Sequence, residues 1–241
     1  MLFQAPMSTV QPLSLDALLT RADLWRGQDA VRSQGPRVAS GFAPLDAALP
    51  DKGWPCGCVS EILSSGRGLG EVSLVLPALR ALAPEAGWIV LVAPPGRVHA
   101  PAWLARGVAL SRLLVVQASG QDAAWACEQL LGSGALAALL AWLPGSHPRQ
   151  LRRLQVAAGK TESLCMVFRP TSAARHPSPA PLRIALSGSP RGLMVDILKR
   201  RGPPLSAPLN LAIERPLPWQ RLARRHVTPT PVQTQPVRVD A

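Results

Sequence analysis

The chain has 241 residues, 47% of them apolar, with 26 Lys+Arg against 14 Asp+Glu and a formal net charge of +12. That length accommodates one α/β domain with extensions and excludes two large ones. Three features narrow the class further and lead us to expect a reduced, cytoplasmic protein without a metal centre: no charge-free and proline-free apolar run of about 18 residues, four cysteines (Cys56, Cys58, Cys127, Cys165) without CxxC spacing, and an opening MLFQAPMSTVQPLS without a basic n-region or sustained apolar stretch.

In chain order, LSLDALLTRADLW carries Leu15, Leu18, Leu19, Ala22 and Trp25 or Arg26 at helical spacing behind Ser14 as N-cap, which predicts an amphipathic helix. It either packs on its own domain or serves a protomer or partner contact. Residues 27–40 read as a linker. The stretch from Val38 to Leu76 then predicts a turn-rich approach, a buried strand Cys58 to Leu63, a glycine-rich loop of Ser64, Ser65, Gly66, Arg67, Gly68, Leu69 and Gly70, and a helix beginning at Glu71. A loop in that order cradles phosphate because small residues let backbone N–H groups point at an anion beside a helix start. A working phosphate loop of this kind also needs a Lys and a hydroxyl. The sequence places Leu69, Gly70, Glu71 and Val72 at that junction, so both groups are absent.

The helix runs to Ala83, with Pro77 expected in its first turns, where a missing N–H costs least. WIVLVA (Trp88 to Ala93) and RLLVVQ (Arg112 to Gln117) are continuous apolar runs, the pattern of strands covered on both faces. A helix from Gln121 to Leu131, a strand from Leu136 to Leu143, a helix from Pro148 to Ala158 and a strand from Ser163 to Phe168 follow. The rhythm predicts an α/β fold with a mostly parallel sheet flanked by helices. From Thr171 the texture changes to a Pro-rich loop, two strands around a Gly188 to Gly192 turn and a third in APLNLAI, a β-meander. The segment 216–241 is basic and Pro-rich and is expected to be disordered alone. The organisation is therefore 1–37, an N-terminal helix and linker; 38–215, the core; and 216–241, the tail.

The run SGFAPLDAALPDKGWPCGCVSEI before a Gly-rich loop resembles the opening of the RecA-like ATPase core, where a "TG…LD…L.GG.P.G…EI" pattern leads into the phosphate loop. Within that superfamily, the lost Lys, the short basic chain and the LKRRGPP segment resemble the ImuA family, RecA-like accessory proteins of translesion DNA synthesis. The resemblance covers about Leu13 to Arg215. It implies a RecA-like core ending in the β-meander, and it implies an ImuB-like polymerase-family protein and RecA as partners. It also locates the groups that hydrolysis would need. Where a Glu would orient the attacking water the chain has Ala93, Pro94, Pro95 and Gly96, and where an Asp would hold Mg²⁺ it has Leu140, Ala141, Trp142 and Leu143. Phosphoryl transfer depends on positioning and charge neutralisation, so the expectation is a non-catalytic relative with no catalytic residue and no cofactor. Through its backbone amides and Arg67 the degenerate loop could still hold an anion.

The charge excess lies in one half: residues 1–144 hold 10 Lys+Arg and 10 Asp+Glu, and 145–241 hold 16 and 4. Only three of the basic residues are Lys, which either reflects a GC-rich genome or favours guanidinium forks suited to phosphates. Arg149, Arg152 and Arg153 on one predicted helix, and Lys199, Arg200 and Arg201 at a strand end, are candidate contacts to single-stranded DNA; the plainer reading is solvated surface charge. In the tail, Trp219 with Arg221, Arg224 and Arg225 is a candidate partner anchor or an isolated surface cluster. The function expected is recruitment of other proteins to damaged DNA in the SOS response, without membrane attachment. The alternatives are a SulA-like cell-division inhibitor and a divergent nucleotide-binding ATPase.

Overall fold

A computed structural model describes residues 35–66, 68–82, 87–189, 192–205 and 207–213. The expected N-terminal helix, Arg67 and the tail with Trp219, Arg221, Arg224 and Arg225 lie outside the described residues. The elements in order are β1 (Arg37–Val38), α1 (Ala43–Ala48), β2 (Trp54–Pro55), β3 (Cys58–Ser64), α2 (Glu71–Leu82), β4 (Trp88–Val92) and α3 (Ala100–Ala105). They continue with β5 (Leu113–Val116), α4 (Gly120–Gly132), β6 (Leu136–Trp142), α5 (Pro148–Ala158), β7 (Leu164–Pro170), β8 (Leu182–Ser189), β9 (Gly192–Lys199) and β10 (Leu209–Leu211).

Eight strands form one sheet in the order β10-β9-β8-β3-β7-β6-β4-β5, and β1 and β2 make a separate antiparallel ribbon. From β8 to β5 every neighbouring pair is parallel, and only β9 and β10 run against their neighbours. This is the mixed α/β architecture with a mostly parallel sheet that the strand–helix rhythm predicts. Successive strand residues point to opposite faces, and the continuous apolar runs of β4 and β6 fill two cores at once, whereas that of β5, expected to be covered on both faces, forms the edge of the sheet and leaves Leu114 42% exposed. Ile62, Ile89, Leu91, Leu140 and Met166 pack with Leu45 of α1, with Leu74 and Leu79 of α2 and with Trp103 of α3. Val59, Val90, Val92, Leu139 and Cys165 pack on the other face with Ala123 and Cys127 of α4 and Leu151 and Leu154 of α5.

Three local readings are corrected. Pro77 lies in the interior of α2 rather than in its first turn, six residues after Glu71. It is seated against Gly41, which adopts φ +81°, and any β-carbon at Gly41 would collide with the Pro77 ring. The approach before β3 contains structure that its turn-rich composition conceals. Gly41 turns the chain into α1, Asp46 accepts from the Ser40 N–H (2.8 Å), and Arg37–Val38 pairs with Trp54–Pro55. The helix α3, six residues with Pro in its first turn, has no periodic signal long enough to be read.

The meander is closed by a glycine. Gly192 opens β9 at φ +146°, and an added β-carbon would meet the carbonyl oxygen of Leu211 on β10. Gly192→Ala is therefore expected to cost roughly 1–3 kcal/mol through backbone strain and crowding. The midpoint of urea unfolding measures it, and an unchanged midpoint would mean that β10 yields freely.

Candidate functional site

In parallel α/β sheets the loops that leave the carboxyl ends of the strands line a crevice, because each crossover helix begins there. Here the ends of β3 to β7 surround a cleft of about 630 Å³. Ser64, Ser65 and Gly66 of the glycine-rich loop line it, together with Ala93 and Pro95 after β4, Ser119 and Gly120 before α4, Trp142 at the end of β6, and His147 and Arg169. The rings of Trp142 and Phe168 stack 4.7 Å apart and make an apolar floor. Ala93, after β4, is held at φ +52°, a region a non-glycine residue seldom adopts.

The decisive geometry is at the start of α2. Glu71 is buried, and its carboxylate accepts from the Gly68 N–H at 3.3 Å through Oε1 and from the Gly70 N–H at 3.1 Å through Oε2. Gly68 and Gly70 take φ values of +76° and +104°, which turn these amides toward the helix start. The donors that a phosphate would need are thus engaged by a tethered carboxylate whose negative charge also complements the helix dipole. Among the described residues lining the cleft, Glu71 is the only acid. Of the loop residues, Ser64, Ser65 and Gly66 line the cleft, while Gly68 and Gly70 donate to the carboxylate of Glu71.

Beneath the cleft lies a buried ion cluster that sequence reading missed. Glu61 of β3 is fully buried and bonds Arg169 of β7 (Nη1 to Oε1, 3.0 Å) and Arg183 of β8 (Nε to Oε2, 2.6 Å). The guanidinium of Arg169 also donates to the Ser146 carbonyl, and that of Arg183 to the carbonyls of Ala173 and His176. The cluster thereby ties two loops to the middle of the sheet. Its signal in the sequence is one charge within each of three apolar strand runs, SEIL, VFRP and LRIAL.

The two basic clusters are not brought together. Arg149 opens α5 at the carboxyl edge of the sheet, with Arg152 and Arg153 within the next turn, all three exposed. Arg153 is paired with Glu128 of α4 at 2.6 Å. Lys199 ends β9, which runs antiparallel, and Arg200 and Arg201 follow it, toward the opposite edge. Arg200 donates to the carbonyls of Pro203 and Ala48, and Lys199 to that of Ser178, so two of these three residues tie loops down. Among the tryptophans, Trp54 and Trp103 are buried, whereas Trp88 is half-exposed and Trp125 is 59% exposed.

The four cysteines are buried and none is in a disulfide. Burial pushes the Cys58 thiol to about 11 and that of Cys127 to about 12, and holds Cys165 well above its ordinary value. As neutral thiols Cys58, Cys127 and Cys165 are poor nucleophiles and poor metal ligands. Among the described residues no group of three or more His, Cys, Asp or Glu is placed to hold a metal, and no helix is long and apolar enough to cross a membrane.

Fold and cleft together define a mixed α/β protein with a mostly parallel sheet, whose glycine-rich loop is filled from within by Glu71. No protein-family model matches the chain. A stretch of 111 residues, 46% of this chain, is 30% identical to the cell division inhibitor SulA of Photorhabdus laumondii subsp. laumondii and spans 63% of that protein's length. SulA from Pseudomonas aeruginosa, known from a crystal structure, matches 46% of this chain and 97% of its own at 28% identity, with a TM-score of 0.39.

Proposed function

We propose that this chain is a RecA-like, ImuA-type accessory protein of SOS-induced mutagenic repair, which acts in the cytoplasm by recruiting an ImuB-like polymerase-family protein and RecA, with contact to single-stranded DNA, and carries out no chemistry of its own. The observation that carries the reading is the Glu71 carboxylate on the Gly68 and Gly70 amides. A loop that spends its donors on an internal carboxylate keeps the architecture of a nucleotide site without its ligand, as suits a protein that binds other proteins. The absence of carboxylates from the segments after β4 and β6 supports the same reading. Similarity to SulA over 111 residues supports a place in the damage response.

That same similarity favours a second reading, a SulA-like cell-division inhibitor acting on a cytoskeletal GTPase. One experiment separates the two. The purified full chain is offered the polymerase-like protein and RecA in one arm, and the polymerising division GTPase in the other. Capture of the first pair, lost on deleting residues 216–241, is the result expected. Suppression of GTPase polymerisation without capture of the pair would transfer the assignment to the inhibitor.

A further inference from the structure

We infer that the outer face of the α4–α5 pair is a contact surface for single-stranded nucleic acid, with Trp125 as a base-stacking platform and Arg149 and Arg152 as the phosphate contacts. The inference deepens the DNA contact of the proposed function and rests on it.

The buried side of α4 is supplied by Ala123, Ala124, Cys127 and Leu131, so packing does not require Trp125, which is 59% exposed. One turn later on the same face, Glu128 bonds Arg153 of α5 and fastens the two helices in register. Each helix follows a strand of the parallel sheet on the same face, so the two run in the same direction. Trp125, three residues before Glu128 and about 4.5 Å along the axis, therefore stands level with the interval from Arg149 to Arg153. Arg149 and Arg152 are exposed, and no acidic group among the described residues pairs with them. Val156, 58% exposed, extends the strip by one more turn of α5. Asp122 is exposed near the start of α4, where it complements the helix dipole, which leaves the phosphate path on the α5 side.

An exposed indole beside uncompensated guanidiniums is what sequence-neutral binding of a single strand requires. Every base has a π-face to lay on the ring, and the forked donors of Arg match phosphate oxygens. None of these residues lines the cleft at the carboxyl edge. The face is a ridge of two helices, over which a flexible strand can lie. A duplex would present its bases edge-on and leave Trp125 unused.

The test uses the full chain and a fluorescein-labelled oligo(dT), with anisotropy read across a salt series. Trp125→Ala is expected to weaken binding roughly tenfold or more, with Trp125→Phe restoring much of the loss. Its dependence on salt should stay unchanged, because no charge is removed. Arg149→Ala with Arg152→Ala should instead reduce the slope of log K against log salt by about 1.4, the amount for two single-strand phosphates. Arg80→Ala, exposed on α2 at the other face of the sheet, is the control expected to change neither. Melting temperatures of all variants should match that of the parent, since the substituted side chains are exposed. If the parent binds oligo(dT) and the α4–α5 variants bind it equally well, this surface is wrong and the DNA contact lies elsewhere. If the parent does not bind, the DNA contact fails with it. Loss of partner-protein capture in Trp125→Ala with oligo(dT) binding intact would make the face a protein-docking surface and overturn the inference.

Discussion

Replacing Glu61 by Gln is expected to lower stability by about 3–5 kcal/mol, because it leaves two buried guanidiniums facing one neutral amide. A single substitution breaks both ion pairs, and Arg169 and Arg183 are themselves almost fully buried. At about 2–4 °C per kcal/mol for a domain of this size, the melting temperature should fall by roughly 10 °C. The compensating experiment is the triple variant Glu61→Leu, Arg169→Met, Arg183→Met. An apolar replacement of similar volume removes the uncompensated charge, so much of the loss should be recovered in the melting temperature. Recovery should not extend to the loops, since the carbonyls of Ser146, Ala173 and His176 lose their donors. Faster limited proteolysis near residues 144–147 and 171–176 in the triple variant would show it. A melting temperature for Glu61→Gln within a degree or two of the parent would mean that water or a second acid compensates the guanidiniums.

The second large effect concerns nucleotide. The parent chain is expected to hydrolyse no ATP, with or without single-stranded DNA, and to show no thermal shift on adding ATP. Two loop amides are engaged by Glu71, and a bound triphosphate would meet that carboxylate at close range. Charge-assisted hydrogen bonds of this kind are worth about 1.5–3 kcal/mol each, and a phosphate would have to displace both. Glu71→Gln removes the charge and weakens both bonds. It should cost about 1 kcal/mol of stability, as loss of a helix-start anion does, and should make a phosphate-dependent thermal shift detectable. It should still give no turnover, because Ala93, Pro95, Trp142 and Leu143 supply neither a base nor a magnesium ligand. DNA-stimulated hydrolysis by rigorously purified parent protein would overturn the reading.

Much of this molecule is legible along the chain. The strand, glycine loop and helix from Cys58 to Leu82 can be read because each is set by local pattern: an apolar run, residues free to take positive φ, and a helical stripe of Leu74, Ala78 and Leu82. The continuous runs of β4 and β6 announce burial on both faces, and both are buried. That Gly70 and Glu71, rather than a Lys and a hydroxyl, follow the glycine-rich loop is visible in the sequence alone. Short elements were less legible, since α3 and the β1–β2 ribbon occupy too few residues for a period to emerge.

What only the tertiary structure decided is which distant residues face one another, and with which charge. Residue order cannot announce that Glu61 meets Arg169 and Arg183, 108 and 122 positions away, because strand order places β3 between β7 and β8. Nor can residue order separate the two basic clusters, which lie at different edges because β9 reverses direction. Trp125 follows the helical period of its segment and could have turned either way; the small buried side of α4 turned it out. Glu71 is adjacent in sequence to the loop it fills, yet its carboxylate could equally have pointed into water. Packing of α2 against the sheet buries it, and a buried carboxylate must find donors, which Gly68 and Gly70 provide. Local pattern thus determined which elements form, while the cost of burying polar and charged groups decided how the site at their ends is closed.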